Sequence, residues 1–269
     1  MKTNSSLKQF YENLADIPDV EHYVKPTGIY RKKIIIRMLS PKKNDIICDL
    51  GCGDGTLSVN FIRKAKCIIG VDFSTKRVKK ANEKGLNTII ADAQQTPFKD
   101  KSFDKIICSE VIEHVLNPQE VISEIGRIVK TEGIAVISIP LDEKIKKTIL
   151  DIPRDDLEKL DFDTVKDKHS IEHCHITSFS EKQIKTSFEK NGLKINQVDY
   201  TSNFKPRFKN SKLYNRIYLT TLKLKINNNR ALEFLFNKFI LLVYRKEQSI
   251  RHIIICTKKN EWLKGEKVG

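Results

Sequence analysis

Three groups of residues in this chain have the types and the spacing to do chemistry. The first lies in "DIICDLGCGDGTLS", residues 45–58, where Asp49, Gly51, Gly53 and Gly55 read D-x-G-x-G-x-G between an apolar run and a segment of helical pattern. Glycines spaced in this way let backbone approach a ligand with no Cβ between them. A triphosphate loop would require G-x(4)-G-K-[ST], and no Lys-Ser/Thr pair follows these glycines. A dinucleotide loop would need a third glycine where Thr56 stands, so that helix and strand can pack closely. Asp49 and Asp54 add negative charge beside the loop, which disfavours phosphate and suits a ligand with a cationic end.

The second group is Asp72, in "GVDFS", and Asp92, in "ADAQQTP". An aspartate after an apolar run is, alone, usually a cap or turn residue. At this distance beyond the glycine loop, Asp72 is instead positioned to accept both hydroxyls of a ribose, with the Phe73 ring beside it to pack on a base. The third group is Glu110-x-x-Glu113-His114, expected to set two carboxylates and an imidazole within one helical turn, together with His169, His173 and His175 in "KHSIEHCHITSFS". Two uses fit. His114 lines a pocket or serves as general base, flanked by Glu110 and Glu113. Alternatively Glu110, Glu113, His114, His173 and His175 share a divalent metal that lowers the pKa of an acceptor hydroxyl and orients it.

These groups need elements to hold them. Apolar runs rich in β-branched residues recur at "DIICDL", "CIIGVD", "NTIIAD", "FDKIICS", "GIAVISIP", "LKINQVDY" and "IRHIIICTK". Several read as strands apolar on both faces, which suits a sheet covered by helices on both sides. Helical patterns fall between them at residues 56–65, 75–84, 118–129 and 181–191, the last preceded by Ser180 as an N-cap. Alternation at this spacing predicts an α/β protein with a doubly wound, mainly parallel sheet and helices on both faces. Asp49, Asp72 and Asp92 then fall at the carboxyl ends of strands, where open sheets of this class bind ligands.

Taken in order, the glycine loop, "GVDFS", "ADAQQTPFKDKSFDKIICSEVIEHV" and "EIGRIVKTEGIAVISIP" resemble the class I S-adenosylmethionine-dependent methyltransferases, and among them the broad type 11 branch. The resemblance is strong over residues 45–140 and extends weakly to about 200 through "HITSFSEKQIKTSFEKNGLKI". One departure is Thr131-Glu132-Gly133, where the family usually has P-G-G. The resemblance implies a Rossmann-like seven-stranded sheet and S-adenosylmethionine as cofactor. It implies cofactor contacts at Asp49, Gly51, Cys52, Gly53, Asp72, Phe73, Asp92, Ala93 and Ser109, with Asp92 accepting from the adenine amine. A similar E-x-x-E-H with a later histidine holds a metal in small-RNA 3′-terminal 2′-O-methyltransferases. The expected activity is methyl transfer to O, N or C of a small, lipophilic acceptor. The alternatives are an RNA methyltransferase, metal-assisted at a 2′-hydroxyl, and a cofactor-binding subunit without turnover.

With 39% hydrophobic and 31% charged residues in 269, the chain has the composition of a soluble globular protein. Six cysteines without a CxxC pair read as reduced core thiols. No signal-peptide run or membrane span is found, so the expected place is the cytoplasm. The charge is lopsided: residues 204–269 hold 16 Lys plus Arg against 4 Glu, +12 of the chain's +15. With the apolar run at 231–244, this predicts a basic insertion that docks peripherally at the inner, anionic membrane surface; RNA is the less favoured partner. The expected division is a helical cap over 1–44, a methyltransferase core over 45–203 with a lid-like insertion at 141–170, the basic insertion at 204–248, and the last strand and tail at 249–269.

Overall fold

A computed structural model describes residues 8, 9, 11–13, 15, 26–140, 179–206 and 244–259. The seven apolar runs are its seven strands: β1 (Ile46–Leu50), β2 (Cys67–Asp72), β3 (Asn87–Ile90), β4 (Phe103–Ser109), β5 (Val129–Pro140), β6 (Leu193–Pro206) and β7 (Tyr244–Lys259). They form one sheet in the order β3-β2-β1-β4-β5-β7-β6. Pairing is parallel from β3 to β5, and antiparallel where β7 inserts between β5 and β6. Four helices cover it: α1 (Pro26–Leu39), α2 (Thr75–Glu83), α3 (Pro118–Ile128) and α4 (Glu181–Lys190).

The continuous apolar pattern of the strands follows from burial on two faces. Along β4, Ile106 and Cys108 enter one core with Val121, Ile122 and Ile125 of α3 and with Ile184 and Phe188 of α4. The intervening Ile107 points to the other core, with Ile34, Ile35, Met38 and Leu39 of α1 and Ala81 of α2. Alternate side chains of β5 and β7 divide between the same two cores. Helix ends are fixed locally. Ser74 caps α2 by accepting from Arg77 N, and Ser180 with Gln183 forms a capping box on α4. The five described cysteines are free thiols, and burial pushes Cys48 and Cys108 well above the ordinary thiol range, which suits core residues rather than nucleophiles.

Three features depart from the sequence pattern. Residues 56–65 form no α-helix; a 3-10 turn at Ser58–Asn60 and further turns occupy them. The Asn60 side-chain amide donates to the carbonyls of Thr56 and Leu57, at 3.2 and 2.9 Å, and so competes with the helical backbone bonds of that turn. Thr131-Glu132-Gly133 is an irregularity inside β5, where the register against β4 jumps from Phe103↔Val129 to Lys105↔Ile134 and Glu132 takes φ 64°. A Cβ at Gly133 would lie 2.7 Å from Val129 Cγ2, so glycine is needed there. Finally, β6 runs on to Pro206 and β7 begins at Tyr244, both inside the stretch read as an insertion. Because Pro140 pairs with His252, the ladder joining 202–206 to 244–250 projects past the end of β5, on the edge where β1, β2 and β4 also end. Lys205 stands opposite Arg245 there. The lid-like 141–170, His169, His173, His175, Cys174 and the run at 231–243 lie outside the described residues.

Candidate active site

The sheet order reverses between β1 and β4, and the glycine loop leaves the first of these strands at that crevice. Gly51 N and Cys52 N both donate to Val71 O, at 2.7 and 2.8 Å, folding the loop back over β2. Gly51 has φ 78°, and a Cβ on it would meet Val111 Cγ2 at 2.3 Å. Its glycine is therefore required by Val111 of the loop after β4 as well as by left-handed backbone, not only by ligand approach. Gly53 N donates to Asp72 Oδ2 at 2.9 Å, and Ser74 N donates to Asp72 Oδ1 at 2.9 Å. Two backbone bonds thus orient the Asp72 carboxylate, and a carboxylate has about four acceptor positions, enough to take two ribose hydroxyls besides. The half-buried Phe73 follows it.

The other expected cofactor residues divide. Asp49 is 2% exposed and accepts from Ser58 Oγ, so it anchors the turn that follows the loop. Asp92 accepts from Gln94 N at 2.9 Å, a local turn that sets its carboxylate after β3, with Ala93 packed on the core below. Cys52 faces inward: a Cβ on Gly70 would lie 2.7 Å from its Sγ. Its backbone is also engaged, Cys52 N donating to Val71 O and Cys52 O accepting from Gly55 N at 3.0 Å. Ser109 Oγ shares a 2.9 Å hydrogen bond with Ser138 Oγ at the ends of β4 and β5. Asp54 turns away to α2, where Lys84 Nζ is 2.7 Å from it and Thr56 N donates at 3.0 Å. Burial pushes the Asp54 pKa up, but the bonds from Lys84 and Thr56 outweigh it and hold it below the usual range. Its charge is matched within the fold and does not select the ligand.

On the acceptor side, the expected helical turn over 110–114 is not formed. Glu110 is left-handed, φ 57°, and the following 3-10 turn covers only Ile112–His114. This separates the three candidates. Glu110 takes a 2.9 Å ion pair from Arg31 of α1 and a 2.9 Å bond from Ser138 Oγ. Glu113 is 1% exposed, and its carboxyl oxygens have no hydrogen-bond partner among the described residues. Burial, reinforced by the nearby Glu110, pushes Glu113 well above the carboxylate range. His114 is half-buried, with Nε2 at 3.7 Å from Glu113 Oε1. Among the described residues, no three His, Cys, Asp or Glu side chains meet in a set able to hold a metal.

Several residues of this site carried no signal in the sequence. Tyr11 packs on Phe73 and on His114, Glu12 bonds to the start of α2, and Arg31 reaches Glu110 from a helix in which it is one of four Lys or Arg residues. Each lies far along the chain from its partner.

Comparison with known proteins agrees with this geometry. A family model described as "Methyltransferase domain" matches residues 48–137. An uncharacterized protein of Methanocaldococcus jannaschii is 28% identical over 81% of this chain and 86% of its own. The demethylmenaquinone methyltransferase of Thermobifida fusca is 27% identical over 47% of this chain, which spans only 58% of that enzyme's length. In structure, geranyl diphosphate C-methyltransferase from Streptomyces coelicolor, solved with Mg2+, geranyl diphosphate and S-adenosyl-L-homocysteine, superposes with a TM-score of 0.55 at 14% identity, covering 86% of this chain and 78% of that one. The matched stretch starts in β1 and ends in β5, and so takes in every strand end of the crevice described above: residues 48–137 are similar to the methyltransferase-domain family, and the sheet shares its fold with solved methyltransferases.

Proposed function

We propose that the chain methylates a small, lipophilic acceptor bound beside His114. The observation that carries this reading is the composition of the wall after β4: Val111, Val115 and Leu116 are half-buried there around the half-buried His114, while Glu113 is buried beneath them. A similar enzyme that acts on demethylmenaquinone supports it. When bound, the cofactor supplies a methyl group on a sulfonium, open to in-line displacement. The residues of the chain do the rest. Asp72 and Phe73 hold the adenosyl end, and the apolar wall excludes water and presents the acceptor, which makes the displacement effectively unimolecular. Where the nucleophile is a hydroxyl, His114 accepts its proton as the new bond forms. Glu110, paired with Arg31, positions the loop and does not touch the acceptor.

The same reading puts the acceptor in a bilayer, and we propose that the basic sequence around the β6–β7 ladder docks the enzyme on anionic lipid. The test is release of S-adenosylhomocysteine by the purified protein against separate pools of quinols, sugars, lipids and RNA. Turnover with quinols or lipids supports the proposal; turnover with RNA alone replaces it with the nucleic-acid reading.

A further inference from the structure

The segment around Tyr11 lies more than fifty residues from anything it touches, yet it makes a specific set of bonds. Glu12 sits on the first turn of α2: its Oε1 accepts from Thr75 N at 2.6 Å, and its Oε2 accepts from Lys76 N at 3.2 Å and from Ser74 Oγ at 3.0 Å. A carboxylate here meets the unpaired amides and the positive end of the helix dipole. Lys80 of the same helix donates from Nζ to Ala15 O, and Ala15 is buried. With the segment pinned at these points, the Tyr11 ring stands between two groups of the site. Its centroid is 5.4 Å from that of Phe73, on the cofactor side, and 5.8 Å from that of His114, edge-on, on the acceptor side. Ser74 ties this arrangement to the cofactor carboxylate, since its hydroxyl donates to Glu12 while its N–H donates to Asp72.

We propose that Tyr11 is a positioning residue of the transfer site, held by Glu12 as a latch, and that it walls the adenosyl pocket so that the cofactor product leaves only when the latch opens. The inference rests on the cofactor site and does not depend on which acceptor is methylated. Glu12→Gln keeps the shape of the side chain but weakens its bonds to Thr75, Lys76 and Ser74; Tyr11→Ala removes the ring, and Tyr11→Phe keeps it.

The experiment measures dissociation of S-adenosylhomocysteine by stopped flow, and its affinity by calorimetry, on the full chain with thermal midpoints recorded alongside. Glu12→Gln and Tyr11→Ala are expected to release the product about tenfold faster, because changes in the walls of a binding site appear mainly in the off-rate. Tyr11→Phe is expected to match the wild type, with midpoints of the folded variants close together. Unchanged release in Glu12→Gln overturns the latch, even should Tyr11→Ala fail to fold. Absence of S-adenosylhomocysteine binding by the wild type would remove the cofactor assignment itself, and the latch with it.

Discussion

Gly51 and Asp72 are the residues proposed for the cofactor half of the site, and each makes a prediction at its own scale. Gly51→Ala places a methyl group 2.3 Å from Val111 Cγ2 on backbone at φ 78°. It should cost about 1–3 kcal/mol in urea unfolding, from strain and overpacking together. Adding Val111→Ala should recover the steric part and leave the backbone part, and a double mutant no more stable than Gly51→Ala would refute the contact. Asp72→Ala removes the acceptor of Gly53 N and Ser74 N as well as that of the ribose, so it should weaken S-adenosylhomocysteine binding by about 1–3 kcal/mol. Calorimetry showing unchanged affinity would make Asp72 purely structural. The same scale decides the metal. Glu110 is committed to Arg31 and Ser138, so turnover should persist in excess chelator. Loss of activity that returns with Mg or Mn would instead make Glu110, Glu113 and His114 ligands, with His173 or His175 completing the set.

Among the elements, α3 is stapled to the segment that carries Asp92 by one buried carboxylate. Glu124 accepts from Thr96 N at 2.8 Å, from Thr96 Oγ1, and from Arg127 Nε and NH2 at 2.7 Å each, while Arg127 also reaches Phe98 O at 2.8 Å. Burial pushes the Glu124 pKa up, but the bonds from Arg127 and Thr96 outweigh it and leave it lowered. A carboxylate with a depressed folded pKa contributes stability above its unfolded pKa, and that contribution is lost as pH falls through the folded one. Glu124→Gln should therefore lower stability by about 1–3 kcal/mol at neutral pH. The gap to the wild type should close below the carboxylate range; a gap that persists at acid pH would mean a packing effect. The seven strands and α2, α3 and α4 were legible in the sequence because burial on two faces leaves β-branched runs and because Ser180 and Pro118 mark helix starts. Legible too were Asp49, Asp72 and Asp92 at strand ends, since the loop spacing and the strand pattern fix them locally. The 3-10 turn at Ser58–Asn60 was not, because a side-chain amide of Asn60 decided it. Nor were the inward turn of Cys52, the pairing of Asp54 with Lys84, the left-handed Glu110 or the roles of Tyr11, Glu12 and Arg31. These depend on contacts between distant segments, which no local periodicity encodes.

For the whole molecule, the sequence separates two tasks. The residues proposed to hold the cofactor lie before position 110, while residues 204–269 hold +12 of the +15 charge. In the ladder past the end of β5, Lys205 pairs in backbone register with Arg245. No helix among the described residues is long and apolar enough to cross a membrane. Binding to anionic vesicles should fall with added salt, each cation near the surface contributing about 1 kcal/mol. Replacing Arg230, Arg245 and Lys246 with Gln should free the protein from such vesicles without changing S-adenosylhomocysteine affinity, and a protein that ignores vesicles at low salt yet retains single-stranded RNA would reverse the choice of partner. The most direct measurement of the central claim follows a labelled methyl group from S-adenosylmethionine into extracts. The account predicts label in the organic phase of a quinol or lipid pool, matched by an equal amount of S-adenosylhomocysteine, and label confined to RNA, or no transfer by a protein that binds the cofactor, would contradict it.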